Sequence, residues 1–176
     1  LAMLLAKSVA LGDKFLGRVC TQGSVLYVNL EDSEAKIKQR ELAQQWRHEI
    51  PIYWLDRFKL SEVGHLRELA EELDVRLVVL DTFSRIRDDN LQESSAEISK
   101  YLEPLQQMAL ELRLSVLLVH HTTKISVEHV NNISPFDTIR GSSAIRAVAR
   151  GSWILAAGER TYRLCVEHGF GEKQDL

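Results

Sequence analysis

Turn-formers and cross-linkers are scarce in this chain of 176 residues, which holds 3 prolines, 9 glycines and 2 cysteines. So little Gly and Pro excludes collagen-like and low-complexity classes. Cys20 and Cys165 form no CxxC zinc pair and are too few for a disulfide-dense secreted scaffold. The longest apolar runs are about five residues, far short of the roughly 18 needed to cross a bilayer. No basic lead-in precedes an apolar stretch, so no signal peptide is read. Neither charge sign dominates: Lys and Arg total 22 against 25 Asp and Glu, a net charge of −3. That balance gives no whole-surface attraction to nucleic acid, and any such binding must come from local patches. What is present is a 45% hydrophobic content, too high for a disordered chain. The length fits one domain, residues 1–176, burying roughly 70% of the surface exposed by the unfolded chain. These bounds describe a soluble cytoplasmic protein with no membrane partner.

Helix and strand patterns alternate along the chain. Leu1, Leu4, Leu5 and Ser8/Val9 recur at helical spacing with no polar lead-in or N-cap residue, as in a helix entered after its start signal. Gly12 and Gly17 supply turns after it. Residues 24–30 form a short β-rich run, and 32–46 a charged helix with Ala35, Ile37, Leu42, Ala43 and Trp46 expected inward. Residues 51–55 read as a strand with Pro51 at its first position, and 60–73 as a helix. Residues 76–81 (Arg-Leu-Val-Val-Leu-Asp) form a buried strand ending in a carboxylate. The clearest helix carries Ile98, Tyr101, Leu102, Leu105, Met108, Ala109 and Leu112 at i, i+3, i+4, i+7 spacing, with a kink expected at Pro104. A fully apolar strand at 115–119 then runs into His120-His121. A long loop over 122–139, a short helix at 142–149 and a strand pair at 153–157 and 162–166 complete the reading. Continuous apolar strands between amphipathic helices imply an α/β fold, a mostly parallel sheet covered on both faces. Ligands in such sheets bind beyond the carboxyl ends of the strands.

Three strands end in residues able to do chemistry. Asp81 closes a run of buried aliphatics, where a carboxylate is costly unless it meets a cation, a cleft or a donor. It either caps the next turn with Thr82 and Ser84 or holds Mg2+ through water at a nucleotide phosphate. Glu31-Asp32 follows another buried strand. Acidic residues there favour the positive end of the next helix; alternatively Glu31 is a general base orienting water. His120 and His121 are either hydrogen-bonded structural residues or, for one of them, a donor to phosphate. Adjacent residues on a strand point to opposite faces, and no other His or Cys has zinc-ligand spacing. Arg140, Arg146 and Arg150 surround a Gly-Ser turn, with Arg146 and Arg150 on one helical face. They are solvated surface or phosphate-recognition groups.

The ordered blocks strand-Glu-Asp, Leu-Val-Val-Leu-Asp-Thr, Leu-Leu-Val-His-His-Thr-Thr-Lys and Arg-Gly-Ser-Ser-Ala resemble the RecA-like ATPase core of the RepA/DnaB hexameric replicative helicases, nearest to the plasmid RepA branch. The resemblance runs from Leu1 to about Val166. It implies a three-layer RecA-like P-loop NTPase core and a motor that hydrolyses ATP with Mg2+. It also implies a homo-oligomeric, hexameric ring acting on single-stranded DNA. By position, Asp81 matches the Walker B aspartate supporting Mg2+, and Glu31 the catalytic glutamate. His121 or His120 matches the γ-phosphate sensor, and Arg150 the arginine finger reaching the neighbouring subunit, with Arg146 as its rival. Arg40 matches an arginine beside the active site, and Arg140 and Arg146 stand as further nucleotide-binding candidates. Residues 84–93 and 122–137 correspond to DNA-contacting loops. The family's GxxxxGK[ST] phosphate loop, whose backbone N–H groups wrap phosphates, is absent. Lys7-Ser8 lies inside the first helix with no glycines before it and is no substitute. The expectation is a core lacking an upstream phosphate loop and, after Gly171, its final C-terminal strand. The alternative is a RecA-like regulatory or recombination ATPase, or a nucleotide-binding scaffold, without helicase activity.

Overall fold

The computed structural model describes residues 1–46, 49–87, 95–122, 136, 143–158, 160–168 and 174–175. Most of the expected loop 122–139, together with Arg140, Gly141 and Ser142, lies outside the described residues. The chain divides into two compact units, Leu1–Asp89 with Pro104–Val119 and Asn90–Glu103 with His120–Leu176.

The first unit is built on a four-stranded, wholly parallel sheet. Its strands are β3 (Ser24–Asn29), β4 (Ile52–Leu55), β5 (Val75–Asp81) and β6 (Ser115–Val119), in spatial order β4-β3-β5-β6. Both faces of the two central strands are buried, which is why they read as unbroken aliphatic runs rather than alternating ones. Helix α1 (Ala2–Leu11) covers one face. Its Met3, Ala6 and Ala10 pack with Val25, Tyr27, Leu77 and Val79 in one cluster. The alanines bring the helix axis close to the sheet. Leu26, Val28, Val78 and Leu80 on the opposite face are buried as well. Helix α3 (Val63–Glu72) contacts β5 and buries Val63, Leu66 and Ala70; a single 3₁₀ turn, Leu60–Glu62, leads into it. The expected α/β fold is present, and the sheet of this unit is more strictly parallel than expected.

Gly12 ends α1 with φ 71°, and the N–H of Asp13 returns to Ser8 O at 2.8 Å. Left-handed glycine is the common way to stop a helix. A small hairpin, β1 (Lys14–Phe15) and β2 (Arg18–Val19), follows around Leu16 and Gly17, both at positive φ. That pairing of two left-handed residues matches the tight turns that suit strand twist. The sequence reading had placed only a turn here.

Helix α2 (Glu34–Ala43) corrects the expected inward face of residues 32–46. No residue on it is buried, and Leu42 is 80% exposed, with Ala35 and Ala43 exposed too. Only Ile37 on the helix and Trp46 beyond it pack against the core. The face of the sheet is already occupied by α1, so α2 needs only a narrow apolar contact.

A four-residue helix, α4 (Phe83–Ile86), follows β5 and buries Phe83 and Ile86. Helix α5 (Ser95–Glu111) continues through Pro104. Pro104 lies on the exposed side of the helix. Ile98, Leu102, Leu105 and Met108 are its buried positions, as the spacing predicts.

In the second unit, helix α6 (Ser143–Val148) precedes an antiparallel sheet of β7 (Gly151–Ala157), β8 (Tyr162–His168) and β9 (Gln174–Asp175). The expected strand pair is therefore present and longer at its outer ends. Phe136, Ile154, Ala156 and Cys165 form its buried cluster. Among the described residues, no helix is long and apolar enough to cross a membrane.

Candidate active site

The pairing register makes β3 and β5 end level. Asn29 stands opposite Asp81, Asp81 stands opposite Val119, and the N–H of Leu30 donates to Asp81 O at 2.8 Å. The turn carrying Glu31 and Asp32 thus leaves the sheet beside Asp81, at the carboxyl edge.

That turn is held from both sides. Asn29 Nδ2 donates to Asp32 O at 2.6 Å, and the N–H of Asp32 donates back to Asn29 Oδ1 at 3.2 Å. Asp32 also receives Arg40 from α2 in an ion pair, with Lys36 3.7 Å away. Arg40 lies in the last turn of α2, so the far end of that helix is tied back to the loop before it, and Lys36 of the first turn stands near the same acid. Glu31, between these anchors, is exposed.

Asp81 accepts a hydrogen bond from Tyr27 Oη at 2.9 Å. Burial pushes its carboxyl above the ordinary range; the Tyr27 hydrogen bond and Arg40 pull it down, while Glu31 and Asp32 push it up. Tyr27 is raised by its own burial and then by the neighbouring Asp81 charge. The Asp81–Thr82 peptide is cis. Buried Thr82 exchanges a hydrogen bond with Ser84 at 2.9 Å, Oγ1 to Oγ. The Thr82 and Ser84 hydroxyls therefore engage each other beside the acid.

Helix α1 packs against β3 and β5, the strands that carry Tyr27 and Asp81. The positive dipole end of a helix attracts anions.

Among the described residues, no group of three or more His, Cys, Asp or Glu is arranged to hold a metal ion. One half-buried carboxylate, Asp81, instead fits Mg2+, which typically takes one or two carboxylates plus substrate phosphates rather than an all-protein cage.

Glu31, Asp81 and Arg40 are thus brought together in the first unit. His120 and His121 follow β6 and fall in the second unit, the first half-buried and the second exposed. Arg146 is engaged there by Glu167. Its Nε and Nη2 donate to the two carboxylate oxygens at 2.8 and 2.7 Å, and its guanidinium lies 5.6 Å from the Phe136 ring centroid. Arg150, just past α6, is exposed. Arg140 lies outside the described residues.

Sequence reasoning missed Tyr27 and Asn29. Both are polar-tipped residues of β3, Ser-Val-Leu-Tyr-Val-Asn, at i and i+2 on the face that Asp81 shares. That alternation was the available signal.

Residues 1–126, well over half the chain, match the family model described as an AAA domain. The chain belongs to this family. Its members are RecA-like ATPases, and this AAA domain carries the RecA-like P-loop NTPase core. A crystal structure of a KaiC-like protein from the hyperthermophilic archaeon Pyrococcus horikoshii is similar to it, with a TM-score of 0.56 and 17% identity. The likeness covers 87% of this chain and 69% of that one, and at such identity it shows the fold alone. A comparison with curated proteins gives no match.

Proposed function

We propose that this AAA domain is the ATP-hydrolysing motor of a RepA/DnaB-like helicase, working in a cytoplasmic hexameric ring on single-stranded DNA. The observation that carries the ATPase part is the meeting of Asp81, the Glu31–Asp32 turn and Arg40 at the carboxyl edge of the sheet. Helix α1 packs on β3 and β5, the two strands that end at this edge. The ring and the DNA rest on the ordered sequence blocks.

In this reading the phosphates of ATP lie towards the N-terminal end of α1, where the helix dipole favours negative charge. Asp81 holds Mg2+ through water. Mg2+, when bound, neutralises charge on the transferring phosphoryl group. Glu31, exposed on a turn pinned at both ends, takes the proton from the attacking water. Arg40, fixed by Asp32, sets positive charge beside the acids. His121 or His120 senses the terminal phosphate. Arg150, exposed at the end of α6, reaches the neighbouring subunit as the finger, whereas Arg146 is held within its own unit by Glu167. Arg140 is a further nucleotide-binding residue. The proposal requires a glycine-rich phosphate loop ahead of α1.

In the full-length protein, Glu31→Gln should abolish ATP turnover while ATP still binds. Unchanged turnover removes Glu31 as the base. Single-strand affinity measured against salt tests the DNA half, because phosphate contacts release counterions; absence of salt-dependent binding rejects the helicase. One observation favours the second reading, an ATPase of regulatory or recombination type. Residues 84–93 carry Arg85 and Arg87 against Asp88, Asp89 and Glu93, and residues 122–137 carry Lys124 against Glu128 and Asp137. Neither loop is basic.

A further inference from the structure

Tyr27 is 2% exposed, and a phenol so deeply buried needs an acceptor for its O–H. The acceptor it has is Oδ2 of Asp81, at 2.9 Å. The two side chains share one face of the sheet: Tyr27 pairs with Val79 across β3 and β5, and Asp81 follows two residues on. An aromatic side chain spans such a diagonal. The ring is fixed from the other side as well. Trp54 is its direct partner on β4, with ring centroids 4.7 Å apart, and Trp46 lies against Trp54 at 6.3 Å. The hydroxyl is thereby carried on a ring that packs, tilted by 36°, against Trp54, with Trp46 behind it. Phenylalanine would fill the same space, so packing alone does not require the oxygen.

We propose that Tyr27 is the positioning residue for Asp81, its phenol holding Oδ2 so that Oδ1 is left to bind the water shell of nucleotide-bound Mg2+. This rests on the proposed role of Asp81. A carboxylate held by one donor cannot rotate that oxygen towards the ion, and the geometry of the remaining oxygen is set before nucleotide arrives. Partners that orient a metal-binding group typically contribute 10–100-fold in metal affinity or activity.

The test is calorimetric binding of ADP to the full-length protein, with and without Mg2+, so that no turnover is needed. Tyr27→Phe should leave metal-free ADP affinity and the melting temperature near wild type, and reduce the Mg2+ enhancement of binding about tenfold. Asp81→Asn should reduce the same enhancement, and the double variant should be no worse than Asp81→Asn alone. A wild-type enhancement in Tyr27→Phe, or additive losses in the double variant, overturns the positioning role while leaving Asp81 in place. If Asp81→Asn itself keeps the full enhancement, the proposed role of Asp81 fails and the role of Tyr27 falls with it. A loss of ADP affinity in Tyr27→Phe that is equal with and without Mg2+ would mark a structural role and also overturn the proposal.

Discussion

The two neighbouring arginines of α6 and its end should separate in experiment because the structure gives them different work. Arg146 makes two parallel hydrogen bonds to Glu167, at 2.8 and 2.7 Å, with side-chain exposures of 35% and 19%. Exposed ion pairs contribute about 0.2–1 kcal/mol, and removing one partner of a fully buried pair costs about 3–5 kcal/mol. A bidentate, mostly covered pair falls between, at about 2 kcal/mol. The Phe136 ring adds about 0.5–1 kcal/mol as a cation–π partner. Arg146→Ala should therefore cost about 2.5 kcal/mol, and at about 2–4 °C per kcal/mol for a chain of this size the melting temperature falls by about 5–10 °C. Arg146→Lys should recover only part of this, since an ammonium cannot reproduce the fork. Arg150→Ala, at an exposed position, should stay within about 0.5 kcal/mol of wild type. Thermal unfolding by circular dichroism reads the stabilities. Doping each variant into wild-type protein and measuring ATP turnover reads action in trans, where an arginine finger contributes about 10³–10⁵ in rate. An Arg146→Ala protein that melts with wild type refutes the energetic reasoning. Poisoning of wild-type neighbours by Arg146→Ala but not by Arg150→Ala refutes the assignment of the finger.

Burial holds the Asp81 carboxyl above its ordinary range, so the folded chain keeps that proton to higher pH than the unfolded chain, and stability falls as pH rises through the window above the ordinary carboxylate value. Without nucleotide or Mg2+, Asp81→Asn should melt above wild type at neutral pH, with the gap closing in acid below the unfolded value; equal melting throughout refutes it. Leu80→Ala, at a fully buried site in β5, should cost about 2–5 kcal/mol by denaturant titration with little change in slope. Gly12→Ala places a Cβ 3.1 Å from Gln22 Cβ at φ 71°, and a loss of about 1–2 kcal/mol is expected from the left-handed conformation alone.

The strands were legible because burial on two faces leaves a simple mark: Val25 to Val28 and Leu77 to Leu80 are apolar without interruption, and a polar residue closes each run. The strand-end acids were legible for the same reason, since Asp81 closes one buried run directly and Glu31-Asp32 follows just after the end of the other. Helix α2 was not. Its Leu42 and Ala43 have the composition of an inward stripe, but the surface available to α2 depends on where α1 lies, which is a tertiary fact absent from the local pattern. The β1–β2 hairpin was missed because Leu16 adopts φ 48°, a conformation that its side chain does not advertise.

The least legible features are those made by pairs distant in sequence. Arg146 and Arg150 are indistinguishable as letters, four residues apart on a short basic segment; only the position of Glu167 on β8 makes one of them structural. Tyr27 and Asp81 lie 54 residues apart and meet because two parallel strands stop level with each other. In both cases the chemistry depends on register. A one-residue slip of β3 against β5 would turn Tyr27 to the opposite face and separate it from Asp81. Aliphatic packing of the central strands therefore does more than stabilise the sheet. It fixes the register that decides which donor each carboxylate meets, and so the site residues inherit their geometry from side chains that never touch a nucleotide.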